Sequence, residues 1–432
     1  MSDPYAVWDA LLASCACVFT QPSLALFKEL ASAWVLCPGR RTLTRMIRMM
    51  LPRPRRAHDA YHRFLRVGAW SLAPLWRVVA EGLVTCLAGD NSELMLDLDD
   101  TLFHKTGRKV LGAGIFRDAV RSSKNSVVYA LGLNLVVLTL RLRPPWGGEP
   151  LALPINLRLY RKAGPSHLDL AEAMIQEVAS WFPERRWTLC TDGAFASLAG
   201  RSLPHTHVIS RMRRDAALYE LPLRPRKRRR GRPRKKGKRL PCPEQMARRY
   251  SKGWKRRVID IRGRAKQRLL YARPVLWYNL CSDRQVLLVI VRDPTHKQPD
   301  DFLFTTNLDA GPPDVASHYQ GRWSIEDTFR NVKQFLGGED PQTWKAQGPE
   351  RAAALALWLY TAVWQWYIVT QGSKRTWPRL PWYLSKATPS FADALASLRR
   401  ALWRRRIFPR TGPRSLMPKL AETLIEALAR AA

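Results

Sequence analysis

Acidic residues are scarce in this chain: 35 Asp and Glu stand against 72 Lys and Arg in 432 residues, a formal net charge of +37. Such an imbalance argues against a neutral or cationic partner and for a polyanion, with nucleic acid the first candidate. The seven cysteines (Cys15, Cys17, Cys37, Cys86, Cys190, Cys242 and Cys281) contain no CxxC pair. Neither a disulfide framework nor a structural zinc site is therefore expected, and a reducing cytoplasm fits. The eight histidines form no HExxH or related metal spacing, and no internal repeat is apparent. No positively charged n-region precedes "YAVWDALLASCACVF", where Asp3 and Asp9 come early, so a secretory leader is not expected. Residues 352–373, "AAALALWLYTAVWQWYIVTQGS", are the one uncharged stretch near the length of a membrane span. Gln365, two threonines and three tryptophans within it favour a buried core helix over an anchor.

What is present is enough apolar material, 46% of residues, to bury a large core in two to four domains. Residues 1–85 read as mainly helical, with a basic stretch "GRRTLTRMIRMMLPRPRR" that suits a small DNA-binding region. Strands begin near residue 90 with "ELMLDLDD". Leu138, Leu140 and Leu142 alternate with Thr139, Arg141 and Arg143, and after "PPWGGEP" Leu151 to Leu159 alternate again, which predicts a half-buried hairpin. Ser166 with Asp169 three residues on forms a capping-box pattern for a helix running to about Phe182, and the strand "WTLCTD" follows. This order indicates a mixed α/β core with acids at strand ends. Residues 224–257 then hold 18 Lys or Arg against one acid, Glu244, and must be a loop or linker. Further strand-like runs separate Asp192 from Glu326, and the segment 374–414 is again basic, with Trp377, Trp382 and Trp403 interleaved.

"YQGRWSIEDTFRNVK" carries the most specific spacing. On a continuous helix Tyr319, Arg322, Glu326 and Lys333 fall within an arc of roughly 60°, beside an apolar stripe of Ile325, Phe329, Val332 and Leu336. A carboxylate flanked by cations and a phenol at the margin of a buried face can hold a metal ion while the cations grip phosphates. "MLDLDDT" supplies Asp97, Asp99 and Asp100 at a strand end, and "LCTDGA" supplies Asp192 after another. Strand alternation puts Asp97 and Asp99 on one face and Asp100 on the other. Three carboxylates converging from separate elements suit hard divalent cations in a two-metal phosphoryl-transfer site.

The chain resembles the DDE transposases of bacterial insertion sequences, in the cut-and-paste branch marked by Tyr-x2-Arg-x3-Glu-x6-Lys. Tyr319, Arg322, Glu326 and Lys333 match every spacing, and "DDT", "TDGAF" and "QFLGGEDPQTW" resemble the same branch. The resemblance covers roughly residues 90–375. It implies an α/β fold with an RNase H-like core in two parts, residues 86–215 and 301–375, separated by a basic loop and β-rich insertion at 216–300. A helical region at 1–85 and a basic helical region at 376–432 flank it. Asp99, Asp192 and Glu326 would bind two Mg²⁺ or Mn²⁺ ions; Asp99 is the first ligand because the family motif Asp-x-Thr is met by Asp99-Asp100-Thr101, with Asp100 open as the alternative. Tyr319, Arg322 and Lys333 would grip phosphates. The implied partners are double-stranded DNA, as terminal inverted repeats and target, and a second copy of the chain in a synaptic dimer, in the bacterial cytoplasm at the nucleoid and without a membrane. A transposase descendant that binds DNA without cutting is the rival, against which the three acids speak. Arg230-Gly231-Arg232-Pro233, followed by Arg234, looks like an AT-hook core. A basic loop that meets phosphates without sequence preference is the alternative.

Overall fold

A computed structural model describes residues 3–50, 56–89, 93–123, 125–222, 234–372, 377, 384–407 and 417–431. Arg230 and Arg232 of the AT-hook-like motif lie outside the described residues; Arg234 is the first described residue after that gap and is exposed.

Among the described residues the centre is a mixed sheet of ten strands. In chain order they are β1 (Glu93–His104), β2 (Gly114–Arg117), β3 (Tyr129–Leu142), β4 (Leu151–Tyr160), β5 (Arg186–Thr191), β6 (Thr206–Arg211), β7 (Lys255–Ile261), β8 (Arg264–Val275), β9 (Val286–Arg292) and β10 (Asp301–Thr305). Their spatial order is β2-β3-β1-β5-β6-β10-β9-β8-β7, with β4 also paired to β3. β1 is central, antiparallel to β3 and parallel to β5. The strands between Asp192 and Glu326 do not make a separate sheet. β10 is antiparallel to both β6 and β9, so it joins β7–β9 to the strands that carry the acids.

The β3–β4 hairpin forms as the alternation predicts, but it is not half-buried. β3 is buried from Gly132 to Leu142, including Thr139 and Arg141. Alternation reports which way side chains point, not whether the second face is covered. Here helices cover both faces. α6 (His167–Trp181), opened by the Ser166–Asp169 capping box, lies on the side of Asp100, where Arg158 and Asn156 meet its Glu177. α8 (Pro312–Gly321), α9 (Ser324–Phe335) and α10 (Gly348–Gln371) lie on the side of Asp99.

α10 is long and apolar enough to cross a membrane, yet 89% of its most apolar window is buried inside the protein. It packs against β4, α9 and the N-terminal helices α1 (Pro4–Ala13), α4 (His58–Val67) and α5 (Leu72–Leu83). The helical N-terminal region therefore shares one apolar core with the sheet. Buried Arg351 on α10 stacks 4.2 Å over Trp70 and donates to the carbonyls of Phe64, Leu65, Gly68 and Trp70. Those are carbonyls just past the end of α4 or in its last turn, where no helical donor reaches.

Candidate active site

β1 presents its three acids to three different environments. Asp97 is fully buried and forms a two-pronged ion pair with Arg141 of β3, whose Nε lies 2.9 Å from Asp97 Oδ2. Burial works against the Arg141 charge, but Asp97 outweighs it and raises the guanidinium pKa. Asp100 projects to the opposite face, where Asn134 Nδ2 donates to Asp100 Oδ2 at 2.9 Å and Asn134 Oδ1 meets His167 Nε2 at 2.9 Å. Asp99 points toward α8 and α9.

The parallel pairing of β1 with β5 runs to Leu98 opposite Thr191, so the next residues, Asp99 and Asp192, leave adjacent strands side by side. The Asp192 carboxylate accepts the Ala194 N–H at 2.9 Å, and its carbonyl accepts from Ser210 Oγ at 2.7 Å. Asp99 Oδ1 accepts the Asp100 N–H at 2.9 Å. Burial pushes the Asp99 carboxyl up to about 7; Arg322 pulls it down, while the charges of Asp192 and Asp100 push it further up.

Tyr319, Arg322, Glu326 and Lys333 do not share one helix face. α8 ends at Gly321 and α9 starts at Ser324. Across the junction the bonds shorten to i→i−3: Arg322 N–H to Tyr319 at 3.2 Å and Trp323 N–H to Gln320 at 3.4 Å. The 100° periodicity is lost there. Arg322, at the break, reaches both acids, with Nη1 2.7 Å from Asp99 Oδ2 and Nη2 3.0 Å from Glu326 Oε1. Among the described residues its Nε is buried without a partner. Glu326 sits in the first turn of α9, where the helix dipole favours a carboxylate.

Tyr319 is buried at the end of α8, its ring 5.7 Å from the Arg211 guanidinium and 5.8 Å from that of Arg322. Lys333 stands apart, its Nζ donating to the Leu102 carbonyl at 2.7 Å and lying 4.0 Å from Glu339. Burial lowers its pKa, and Glu339 opposes the shift. A cavity of about 580 Å³ opens beside Tyr319, Arg322, Trp323 and Glu326, lined also by Arg211, Arg262, Lys266 and Arg268. Arg262, at the β7–β8 turn, stacks 4.4 Å over the ring of Trp323.

Sequence reasoning missed Arg141 and Arg211. Arg141 read as the polar half of an alternating strand, and only its position opposite an acid-bearing strand could have marked it. The His318 carbonyl accepts from Arg141 Nη1 at 2.7 Å. Trp277 is a packing residue, buried edge-on against Phe304.

The donor set near Asp99 consists of carboxylate oxygens, the type that Mg²⁺ and Mn²⁺ take. Among the described residues no three His, Cys, Asp or Glu gather closely enough to hold an ion as they stand, because Arg322 lies between Asp99 and Glu326. The Asp99–Asp192 pair fits a divalent cation, which would relieve the like charge that raises Asp99.

A family model described as "DDE superfamily endonuclease" matches residues 25–283, more than half of the chain, spanning Asp99 and Asp192 and ending before Glu326. No curated protein matches the chain significantly.

Proposed function

The chain belongs to the DDE superfamily endonucleases, and from that premise we propose that it is the transposase of a bacterial insertion sequence, cutting its own element's ends and joining them to target DNA. The observation that carries this reading is the delivery of Asp99 and Asp192 from neighbouring strands to a helix break at which Arg322 bridges Asp99 and Glu326. The Tyr-x2-Arg-x3-Glu-x6-Lys spacing supports the cut-and-paste branch, with an RNase H-like core interrupted at residues 216–300.

Mg²⁺ or Mn²⁺, held as a two-metal site by Asp99, Asp192 and Glu326, would activate the attacking oxygen and neutralise the scissile phosphate. The protein's own groups do the rest. An incoming phosphate competes with the two carboxylates for Arg322, a planar fork suited to phosphate oxygens. Turning of Arg322 onto that phosphate would release Glu326 as a carboxylate able to hold a cation. The partnerless Nε of Arg322 is a further donor for the same phosphate. Tyr319 buttresses Arg322, and Lys333 contributes its charge farther along β1. The basic wall of Arg211, Arg262 and Lys266 attracts the DNA backbone, and Arg230, Arg232 and Arg234 add affinity through phosphates or an A·T-rich minor groove. A pair of chains would synapse two ends in the cytoplasm.

The test is incubation of the purified protein with the DNA ends flanking its own gene, with and without Mg²⁺. Mg²⁺-dependent nicking at those ends is expected. Binding without nicking under every divalent metal tried would favour a transposase-derived DNA-binding protein instead.

A further inference from the structure

We infer that Arg141, anchored by Asp97, is a positioning residue that holds open the break between α8 and α9 and so aims Arg322 and Glu326 at Asp99. The inference rests on the proposed function for its catalytic consequence, though its structural part stands by itself.

In an uninterrupted helix the His318 carbonyl would accept the N–H of Arg322, four residues on. Here that N–H goes to Tyr319 instead, at 3.2 Å. The released His318 carbonyl takes Arg141 Nη1 at 2.7 Å, with the Cys190 thiol a weaker donor at 3.6 Å. A side chain from β3 thus replaces the missing helical bond, and a part-buried carbonyl at a helix end is satisfied without continuing the helix.

The guanidinium has no freedom to do otherwise. Nε and Nη2 are taken by the two oxygens of Asp97, which leaves Nη1 aimed at α8. Gly321, the last residue of α8, makes the approach feasible: a Cβ there would stand 2.8 Å from Arg141 Nη1. A buried ion pair is a poor way to gain stability, since well-packed apolar residues of similar volume often do as well. What this pair adds is a rigid third donor, referenced to the same strand that carries Asp99 two residues along.

The decisive protein is the full chain with Asp97→Leu and Arg141→Met together, which removes both charges and leaves none unpaired. Thermal melting and circular dichroism report whether it folds. Amide hydrogen exchange reports the break, and cleavage of the flanking DNA ends with Mg²⁺ at saturating DNA reports the chemistry. We expect a folded variant with unchanged DNA affinity, slower exchange at Arg322, whose N–H can then take the freed His318 carbonyl, and cleavage slowed about a hundredfold, the scale of a 1 Å misplacement. Gly321→Ala should slow the otherwise wild-type enzyme but add nothing in the double variant, whose guanidinium is already gone. Unchanged exchange at the break, or wild-type cleavage by the folded double variant, overturns the inference. So does a Gly321→Ala effect of equal size in both backgrounds. Should the wild-type protein cut no DNA, the proposed function fails, and the exchange measurement still decides whether Arg141 holds the break. If the double variant does not fold, Gly321→Ala alone decides by the same exchange reading.

Discussion

Replacing Asp99 by Asn should stabilise the protein at alkaline pH and lose that advantage in acid. In the fold the Asp99 carboxyl keeps its proton up to about 7, against 3.8 for an unperturbed group. Its side chain is only 17% exposed, so solvent screens the effect little. Between those two values the native state holds a proton that the unfolded chain has released. Stability from this group is therefore complete below the unfolded value and falls as pH rises toward 7, by about 1.4 kcal/mol per unit. Asn removes the titration while keeping a carbonyl for Arg322. Going from pH 5 to pH 8, the stability of Asp99→Asn relative to wild type should rise by about 3 kcal/mol. Urea titrations at the two pH values measure it. Millimolar Mg²⁺ at pH 8 should narrow the gap, because a cation that binds the native carboxylates stabilises wild type selectively. A difference that does not change with pH would refute the argument that burial and neighbouring charge hold this carboxyl near neutrality.

Other expectations follow from the same geometry. Glu326→Ala should keep DNA affinity and lose Mg²⁺-dependent cleavage, as read by gel shift and nicking assays, because Glu326 is partly exposed and its loss leaves the Arg322–Asp99 pair in place. Asp100→Asn should remain active in the same nicking assay, since its oxygen meets Asn134 on the other face of the sheet; an inactive Asp100→Asn beside an active Asp99→Asn would reverse the choice of first ligand. Changing Arg230, Arg232 and Arg234 to Ala should flatten the slope of log K against log salt by up to about three, and an unchanged preference for A·T-rich duplexes in that mutant would remove the minor-groove reading. Arg351→Met should lower stability by about 3 kcal/mol in urea unfolding, because it takes the donor from the Leu65 and Trp70 carbonyls, whereas those of Phe64 and Gly68 keep the Trp70 indole and backbone N–H.

Local chemistry in the sequence was enough to locate the pieces. Ser166 and Asp169 announce the start of α6 because a capping box is a contact between residues three apart. The alternating leucines of 138–159 give a hairpin because side chains on a strand alternate. "LDLDD" and "LCTD" mark acids at strand ends, and an uncharged stretch with tryptophans and glutamine becomes the buried α10. What surrounds each piece depends on segments far away in the chain. Whether the β3–β4 hairpin has a wet face was decided by helices on both sides. Among three neighbouring aspartates, Asp97 was consumed by Arg141, Asp100 by Asn134, and Asp99 was left to Arg322, choices that no spacing encodes. The helical wheel through Tyr319 to Lys333 failed for the same reason: a 100° repeat assumes that each carbonyl finds its donor four residues on. At His318 the donor instead comes from a residue 177 positions earlier in the chain. Periodicity carries information over a turn or two, whereas the partner of a buried charge is fixed only when the sheet and helices close around it.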